Sequence, residues 1–92
     1  MIRSFRCKDT EALFAGRCPA RFRTFRAAAE RKLTQVHNAT TLEFLRSPPG
    51  NRLEALRGDR AGIWSIRINV QWRLCFVWRN GDAYDVEIVD YH

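Results

Sequence analysis

The sequence lacks the features that define several large classes of protein. Its apolar runs fall short of the roughly 18 residues of a transmembrane helix, and charged residues interrupt the N-terminal stretch where a signal peptide is apolar. A hydrophobic content of 46% is too high for an intrinsically disordered chain. These absences predict a cytoplasmic globular protein without membrane association. Its 92 residues predict a single domain, 1–92.

Candidate metal ligands are scarce in the chain. Cys7, Cys18 and Cys75 stand at wide spacings without a C-x-x-C pair, and the histidines are His37 and His92. A structural zinc site needs about four ligands at characteristic spacings. The sequence therefore predicts no metal and no other cofactor. It also predicts reduced thiols, as expected for a cytoplasmic protein.

Acidic residues are rare in most of the chain, and basic residues are missing from its end. Residues 1–79 hold all sixteen basic residues and six acidic ones, a balance of +10. Residues 80–92 hold four acidic residues and no basic one, a balance of −4. The net charge of +6 in a small domain indicates a polyanionic partner. Nucleic acid is the leading candidate.

The first half of the chain is predicted to be mainly helical. Residues 2–5 are compatible with a short strand, and Asp9 is a candidate N-cap for a short helix whose apolar face comprises Leu13 and Phe14. A second helix is predicted to begin near Pro19 and to end near Asn38. Its apolar face is marked by residues at steps of three and four: Phe22, Phe25, Ala29, Leu33 and Val36.

The second half of the chain follows a different periodicity. From residue 52 onward, apolar and polar residues alternate with the period of two that indicates β-strands. Strands are predicted over 52–57 and around 64–68, 72–79 and 84–89. The predicted fold class is therefore α+β, with two N-terminal helices packed on one face of a small, mainly antiparallel β-sheet.

The turn between the last two strands determines which residues pair. Residues directly opposite each other in antiparallel strands share a face of the sheet. A three-residue loop, 79–81, pairs Phe76 with Tyr84 and Arg73 with Glu87, so that the apolar residues of both strands face one core. A two-residue Asn-Gly turn would place Phe76 opposite Asp85, which breaks this arrangement. The sequence therefore predicts the three-residue loop.

The second face of the predicted sheet is rich in arginine. A loop over 69–71 pairs Arg67 directly with Arg73, and Arg79 follows on the same face. Opposed arginines repel each other, and a carboxylate such as Glu87 or a bound phosphate relieves that repulsion. An ordinary solvated sheet face explains the alternation equally well. The pattern by itself does not indicate catalysis.

Five segments of the second half form a recognisable set: RLEALRGDRAG, WSIRIN, QWRLCF, NGDAYDVEI and the final VDYH. Together they resemble the HigB branch of the RelE/ParE toxin superfamily, from bacterial type II toxin–antitoxin systems. The resemblance extends over nearly the whole chain. It implies a RelE-like domain that cleaves messenger RNA on the ribosome. It also implies that a HigA-type helix-turn-helix antitoxin inhibits the toxin. The toxin would then be associated with DNA only indirectly, through its complex with the antitoxin.

The resemblance further implies the site of a metal-independent endoribonuclease, in which the ribose 2′-OH attacks the adjacent phosphate. Arg73 corresponds to a residue that contacts the scissile phosphate. Asp90, Tyr91 and His92 correspond to the terminal residues of the HigB active site. A histidine has an unperturbed pKa of about 6.5, which suits proton transfer near neutral pH. Arg73, Asp90, Tyr91 and His92 are therefore candidate catalytic residues.

Glu54 departs from the family pattern, which usually has a histidine at this position. A carboxylate can act as a general base, but the unperturbed pKa of a glutamate, about 4.3, is a poorer match to neutral pH. Glu54 is nevertheless a candidate catalytic residue. Arg57, Arg60 and Arg67 are expected to bind the RNA backbone beside it.

Two other functions stay open for a chain of this type. A ParE-like poison of DNA gyrase has the same fold and does not cleave RNA, but it would not need the terminal Asp-Tyr-His cluster. A non-catalytic module that binds RNA or the ribosome would need only the basic face.

Overall fold

The structure, a computed structural model, describes residues 1–47 and 49–90 as a helical layer on one side of a four-stranded sheet. The helices are α1 (Lys8–Phe14), α2 (Arg26–Asn38) and α3 (Leu42–Arg46). The strands are β1 (Glu54–Ala55), β2 (Ile63–Arg67), β3 (Trp72–Arg79) and β4 (Asp82–Asp90), antiparallel and adjacent in chain order. The predicted α+β class is confirmed.

The N-terminal segment lies along the outer edge of β4. Ile2 and Phe5 form isolated parallel bridges with Ala83 and Val86, as the predicted short strand at 2–5 suggested. The carboxylate of Asp82 lies 3.3 Å from the chain's α-amino group. These contacts cover the edge of β4, where unpaired backbone groups would otherwise be exposed.

Helix α1 begins two residues earlier than the sequence predicted. Its N-cap is Cys7, so Asp9 lies within the first turn, and the prediction of Asp9 as the cap is wrong. A carboxylate in the first turn still interacts favourably with the helix dipole. Leu13 is buried, as predicted, but Phe14 is 38% exposed, so only part of the predicted apolar face lies in the core.

The main helix packs as its periodicity predicted. Residues 20–25 form a 3-10 turn rather than α-helix, and α2 continues from it to Asn38. Phe22 meets Trp72 edge-on with ring centroids 5.9 Å apart, and Phe25 stacks on the same indole at 4.9 Å. The predicted apolar face is buried throughout: Phe22, Phe25, Ala29, Leu33 and Val36. Within the described part of the chain, no helix has the length and apolarity to cross a membrane.

The β3–β4 turn differs from the predicted three-residue loop. Arg79 pairs with Asp82, so Asn80 and Gly81 alone form the turn, with φ angles of 52° and 81°. Asn-Gly is the dipeptide that most readily adopts two consecutive positive φ angles in a tight hairpin. The predicted loop of 79–81 is therefore wrong.

A β-bulge in β4 reconciles this short turn with a single core face. Asp85, with a φ of 53°, and Val86 together lie opposite Phe76, and beyond them Cys75 pairs with Glu87. The extra residue reverses the alternation once, which returns the apolar side chains of β4 to the helix-facing side. The core of the sheet there comprises Ile66, Leu74, Phe76, Val86 and Ile88.

The β2–β3 hairpin confirms the predicted register. Arg67 lies opposite Arg73 across a loop in which the Asn69 side chain accepts hydrogen bonds from two backbone N–H groups. Those donors belong to Gln71 and Trp72, at 2.9 and 2.8 Å. Asparagine side chains stabilise turns by bonding to the backbone in this way.

Strand β1 is much shorter than the strand predicted over 52–57. Only Glu54–Ala55 pair with β2 as a strand, and Leu56 adds one backbone hydrogen bond to Ile63. Arg52 has a left-handed φ of 47°, which is incompatible with extended backbone. The prediction is therefore wrong at both ends of this segment.

Candidate functional site

A row of paired residues crosses the outer face of the sheet, the face that points away from the helices. Glu54 pairs with Ser65, Ser65 with Cys75, and Cys75 with Glu87. Because paired residues share a face, the Ser65 hydroxyl and the Cys75 thiol lie in one row between Glu54 and Glu87. Ser65 and Cys75 are buried, so the middle of the outer face is not solvated.

Arg73 lies in the neighbouring row of the outer face and is only 7% exposed. Its Nε donates to the Ser65 hydroxyl at 2.9 Å, and its Nη2 donates to the carbonyl oxygens of Arg52 at 2.7 Å and of Ser65 at 3.3 Å. These acceptors orient a permanently charged guanidinium. The segment just before Glu54 therefore helps to hold Arg73 in place.

The arginines of β2 and β3 face each other, as predicted. Arg67 is half-buried, and its Nε donates to the carbonyl of Asn69 at 3.2 Å. On its other side, Arg73 lies opposite Val89, so the predicted pairing of Arg73 with Glu87 is wrong. The bulge in β4 moves Glu87 to a diagonal position, opposite the next outer-face residue of β3.

Charged side chains of both signs surround Cys75 at the centre of the outer face. Burial raises the pKa of the Cys75 thiol, a direction that Glu87 reinforces and that the positive charges of Arg60 and Arg73 oppose. A buried thiol with a raised pKa is a poor nucleophile. The same interactions place Arg60 within electrostatic reach of the centre of this face.

The loop from β1 to β2 carries two of the predicted RNA-binding residues. Arg57 precedes the 3-10 turn Gly58–Arg60, and Arg60 ends it. Both side chains are exposed. Since this loop follows β1 directly, the two exposed arginines lie beside the strand that bears Glu54, the candidate base.

The predicted terminal cluster is described in part. Asp90 ends β4 opposite Trp72, so strand alternation places it on the helix-facing side rather than on the outer face. Its carboxylate accepts a hydrogen bond from the Gln71 side chain at 3.0 Å. Tyr91 and His92 lie outside the described residues.

Ser65 is a site residue that the sequence analysis missed. It binds the Arg73 guanidinium through both its hydroxyl and its carbonyl oxygen. A signal was present, because the correctly predicted β2–β3 register already placed Ser65 on the outer face, diagonal to Arg73. A small hydroxyl residue on a face otherwise rich in arginine is a natural hydrogen-bond acceptor.

Comparison with known proteins gives concordant matches. The family model of HigB-like toxins, described as the RelE-like toxin of the type II toxin–antitoxin system HigB, matches residues 21–92. Endoribonuclease HigB of Proteus vulgaris is 49% identical over 41 residues, covering 45% of this chain and 45% of that protein. Toxin HigB-1 of Vibrio cholerae serotype O1 is 49% identical over 53 residues, covering 58% and 56%. The aligned part thus spans about half the length of these curated relatives.

A solved structure extends the likeness to the whole fold. The YoeB/ParE toxin from Agrobacterium tumefaciens superposes with a TM-score of 0.51, covering 99% of this chain and 96% of that one. The sequence identity is 18%, so this likeness shows the fold alone.

Proposed function

The chain belongs to the family of HigB-like, RelE-like toxins of type II toxin–antitoxin systems, and we propose that it cleaves messenger RNA on the ribosome. The observation that carries the proposal is Arg73, a buried guanidinium held on the outer face by Ser65 and by the segment leading into Glu54. A relative's name, Endoribonuclease HigB, supports the same reaction.

The proposed reaction requires three groups and no metal ion. The ribose 2′-oxygen attacks the adjacent phosphorus, which forms a 2′,3′-cyclic phosphate and breaks the bond to the 5′ oxygen. A base takes the proton of the 2′-OH, and an acid gives a proton to the 5′ oxygen. A cation stabilises the negative charge that grows on the phosphoryl oxygens between these events.

Arg73 is suited to be that cation because its position is set before substrate arrives. Hydrogen bonds to Ser65 and to the Arg52 carbonyl fix the plane of the guanidinium. A preorganised charge at a site of low water content stabilises a transition state more than a mobile surface charge does. Arginine also remains charged at every physiological pH.

Glu54 is the proposed base, and the terminal residues supply the acid. Glu54 lies two positions after Arg52, so its strand and the Arg73 guanidinium are held by one piece of backbone. His92 would protonate the 5′ oxygen, and Tyr91 would stack on a base or donate a hydrogen bond. Asp90 lies on the helix-facing side at the end of β4, where the Gln71 side chain bonds to it, so its proposed role is to orient the histidine from there rather than to contact the RNA on the outer face.

Arginines around the outer face would bind the RNA backbone. Arg57 and Arg60 are exposed on the β1–β2 loop, and the half-buried Arg67 lies opposite Arg73. Phosphate contacts of this kind weaken as salt increases, because bound counterions are released on association. We infer that the substrate is ribosome-bound messenger RNA and that the reaction takes place in the cytoplasm. The inferred partner is a HigA-type helix-turn-helix antitoxin, and the toxin would contact DNA through that complex alone.

Primer extension on a reporter transcript tests this function. Induction of the chain in bacteria is expected to produce discrete cleavage sites within the reading frame, and removing the reporter's start codon is expected to abolish them. Purified chain with RNA alone, without ribosomes, serves as a control and should leave the transcript intact. Intact transcripts accompanied by trapped gyrase–DNA complexes would instead identify a gyrase poison.

Replacing Glu54 with glutamine tests the proposed base. E54Q keeps the shape of the side chain but removes its ability to take a proton, so cleavage should slow by about 100-fold, the low end for general base catalysis. Single-turnover cleavage on programmed ribosomes measures the effect. E87Q is the matched control, since Glu87 occupies the other end of the same outer-face row. Equal losses in both variants would contradict a specific role for Glu54.

A further inference from the structure

Asn51 is a buried polar residue between the helices and the sheet. It is 0% exposed, and its side-chain amide donates to the Gln35 Oε1 at 3.0 Å and to the Leu45 carbonyl at 3.1 Å. Its Oδ1 accepts a hydrogen bond from the Lys32 ammonium. Both N–H donors and the oxygen of the amide are therefore engaged. These bonds tie the chain at residue 51 to α2 and to the end of α3.

The next residue has an unusual backbone conformation. Arg52 has a φ of 47°, and its N–H bonds to the Pro49 carbonyl at 3.3 Å. Residues other than glycine adopt this region only when the surrounding structure holds them there. The Arg52 carbonyl that this conformation directs inward accepts from Arg73 Nη2 at 2.7 Å, a shorter bond than the one of 3.3 Å from the same nitrogen to the Ser65 carbonyl.

We propose that Asn51 is a positioning residue for RNA cleavage, which holds Arg52 in its left-handed conformation and thereby fixes the Arg73 guanidinium. This inference rests on the proposed function, because it assigns a support to the same site. The amide of Asn51 anchors one end of the peptide to the helices. Without that anchor, Arg52 relaxes to a negative φ, and its carbonyl rotates away from Arg73.

The inference distinguishes Asn51 from an ordinary buried polar residue. Thr10 is equally buried, and its hydroxyl accepts a hydrogen bond from the Ile88 N–H at 3.0 Å, on the side of the molecule away from the outer face. Losing either hydrogen-bonding side chain destabilises the fold. Only the loss of Asn51 should disturb Arg73.

The experiment compares N51A with T10V in two measurements. Nitrogen-15 NMR of the free protein follows the Nη–H signals of Arg73, which include the donor to the Arg52 carbonyl and are assigned from their absence in the R73K variant. Cleavage of a reporter message on programmed ribosomes gives kcat and KM. The NMR measurement needs no RNA, so it tests the positioning even if the chain does not cleave RNA.

N51A is expected to shift the Arg73 Nη–H signals and to speed their exchange with water, because the Arg52 carbonyl accepts from Nη2. It should lower kcat about 10-fold with KM changed less than about threefold, because misplacing a catalytic group costs rate more than binding. T10V should leave the signals and kcat near their wild-type values. If N51A fails to fold, Q35M removes one acceptor of the same amide and replaces it in both measurements.

Two outcomes would overturn the proposal. One is an Arg73 signal in N51A that matches the wild-type protein, whatever happens to cleavage. The other is a displaced signal with an unchanged kcat, which would show that this support does not matter to the reaction. A displaced signal in a chain whose wild-type form cleaves no RNA would refute the proposed function and leave the structural link intact.

Discussion

Replacing Arg73 with alanine is expected to reduce RNA cleavage about 1000-fold and to abolish toxicity in growing bacteria. The substitution removes the only preoriented cation that the proposed mechanism assigns to the phosphoryl charge, and losing one such donor costs 100- to roughly 1000-fold in rate. Single-turnover cleavage on programmed ribosomes measures the chemical step directly. R73K keeps the charge but not the planar fork, so its rate should fall between those of the wild type and R73A.

The structure adds a second consequence to this substitution. Arg73 donates hydrogen bonds to Ser65 and to the Arg52 carbonyl, so R73A leaves buried acceptors without this donor. We expect the free energy of unfolding to fall by about 1–3 kcal/mol. Cleavage rates must therefore be compared below the melting temperature of the variant, with circular dichroism confirming that it is folded.

Arg79 provides the matched control for Arg73. It lies on the same strand, but it is exposed, and its guanidinium covers the Tyr84 ring at 4.4 Å. R79A makes the same chemical change outside the proposed site and should cleave within about threefold of the wild type, since surface substitutions have small effects. Folded R73A with a rate equal to that of R79A would remove Arg73 from the mechanism.

Replacing Phe22 with alanine is expected to lower the free energy of unfolding by about 3–5 kcal/mol, the range for a fully buried aromatic side chain. Phe22 is 0% exposed and packs beside the stacked Phe25 and Trp72 rings, at centroid distances of 5.7 and 5.9 Å. Its removal leaves a cavity between the main helix and β3. A small domain has a total stability of about 5–15 kcal/mol, so this loss would leave the chain marginally folded.

Phe44 supplies the comparison for Phe22. It stands on α3 with 50% of its surface exposed, so F44A removes the same atoms without opening a buried cavity. Chemical denaturation of both variants should give a loss for F44A of about 0.5 kcal/mol or less. Similar losses for F22A and F44A would contradict the assigned core.

The bulge in β4 shows why a largely correct facing was predicted from a wrong register. The apolar alternation required Phe76, Tyr84, Val86 and Ile88 to face one core, and the structure places all of them there except Tyr84, which pairs with Val77 on the outer face. Regular strands meet that requirement with a three-residue loop, whereas this chain combines a two-residue Asn-Gly turn with an extra residue at Asp85. Periodicity constrains faces, but it does not reveal where an irregularity restores the parity.

Sequence by itself determined the helical face of Phe22 to Val36, the β2–β3 register and the arginine-rich side of the sheet. Each follows from a repeat between near neighbours, because helix and strand geometry force such residues onto one face. Only the tertiary structure decided that Arg73 is buried and bonded to the Arg52 carbonyl, and that Asn51 anchors this segment to Gln35 of α2. Those bonds join residues distant in the chain, so no local period encodes them.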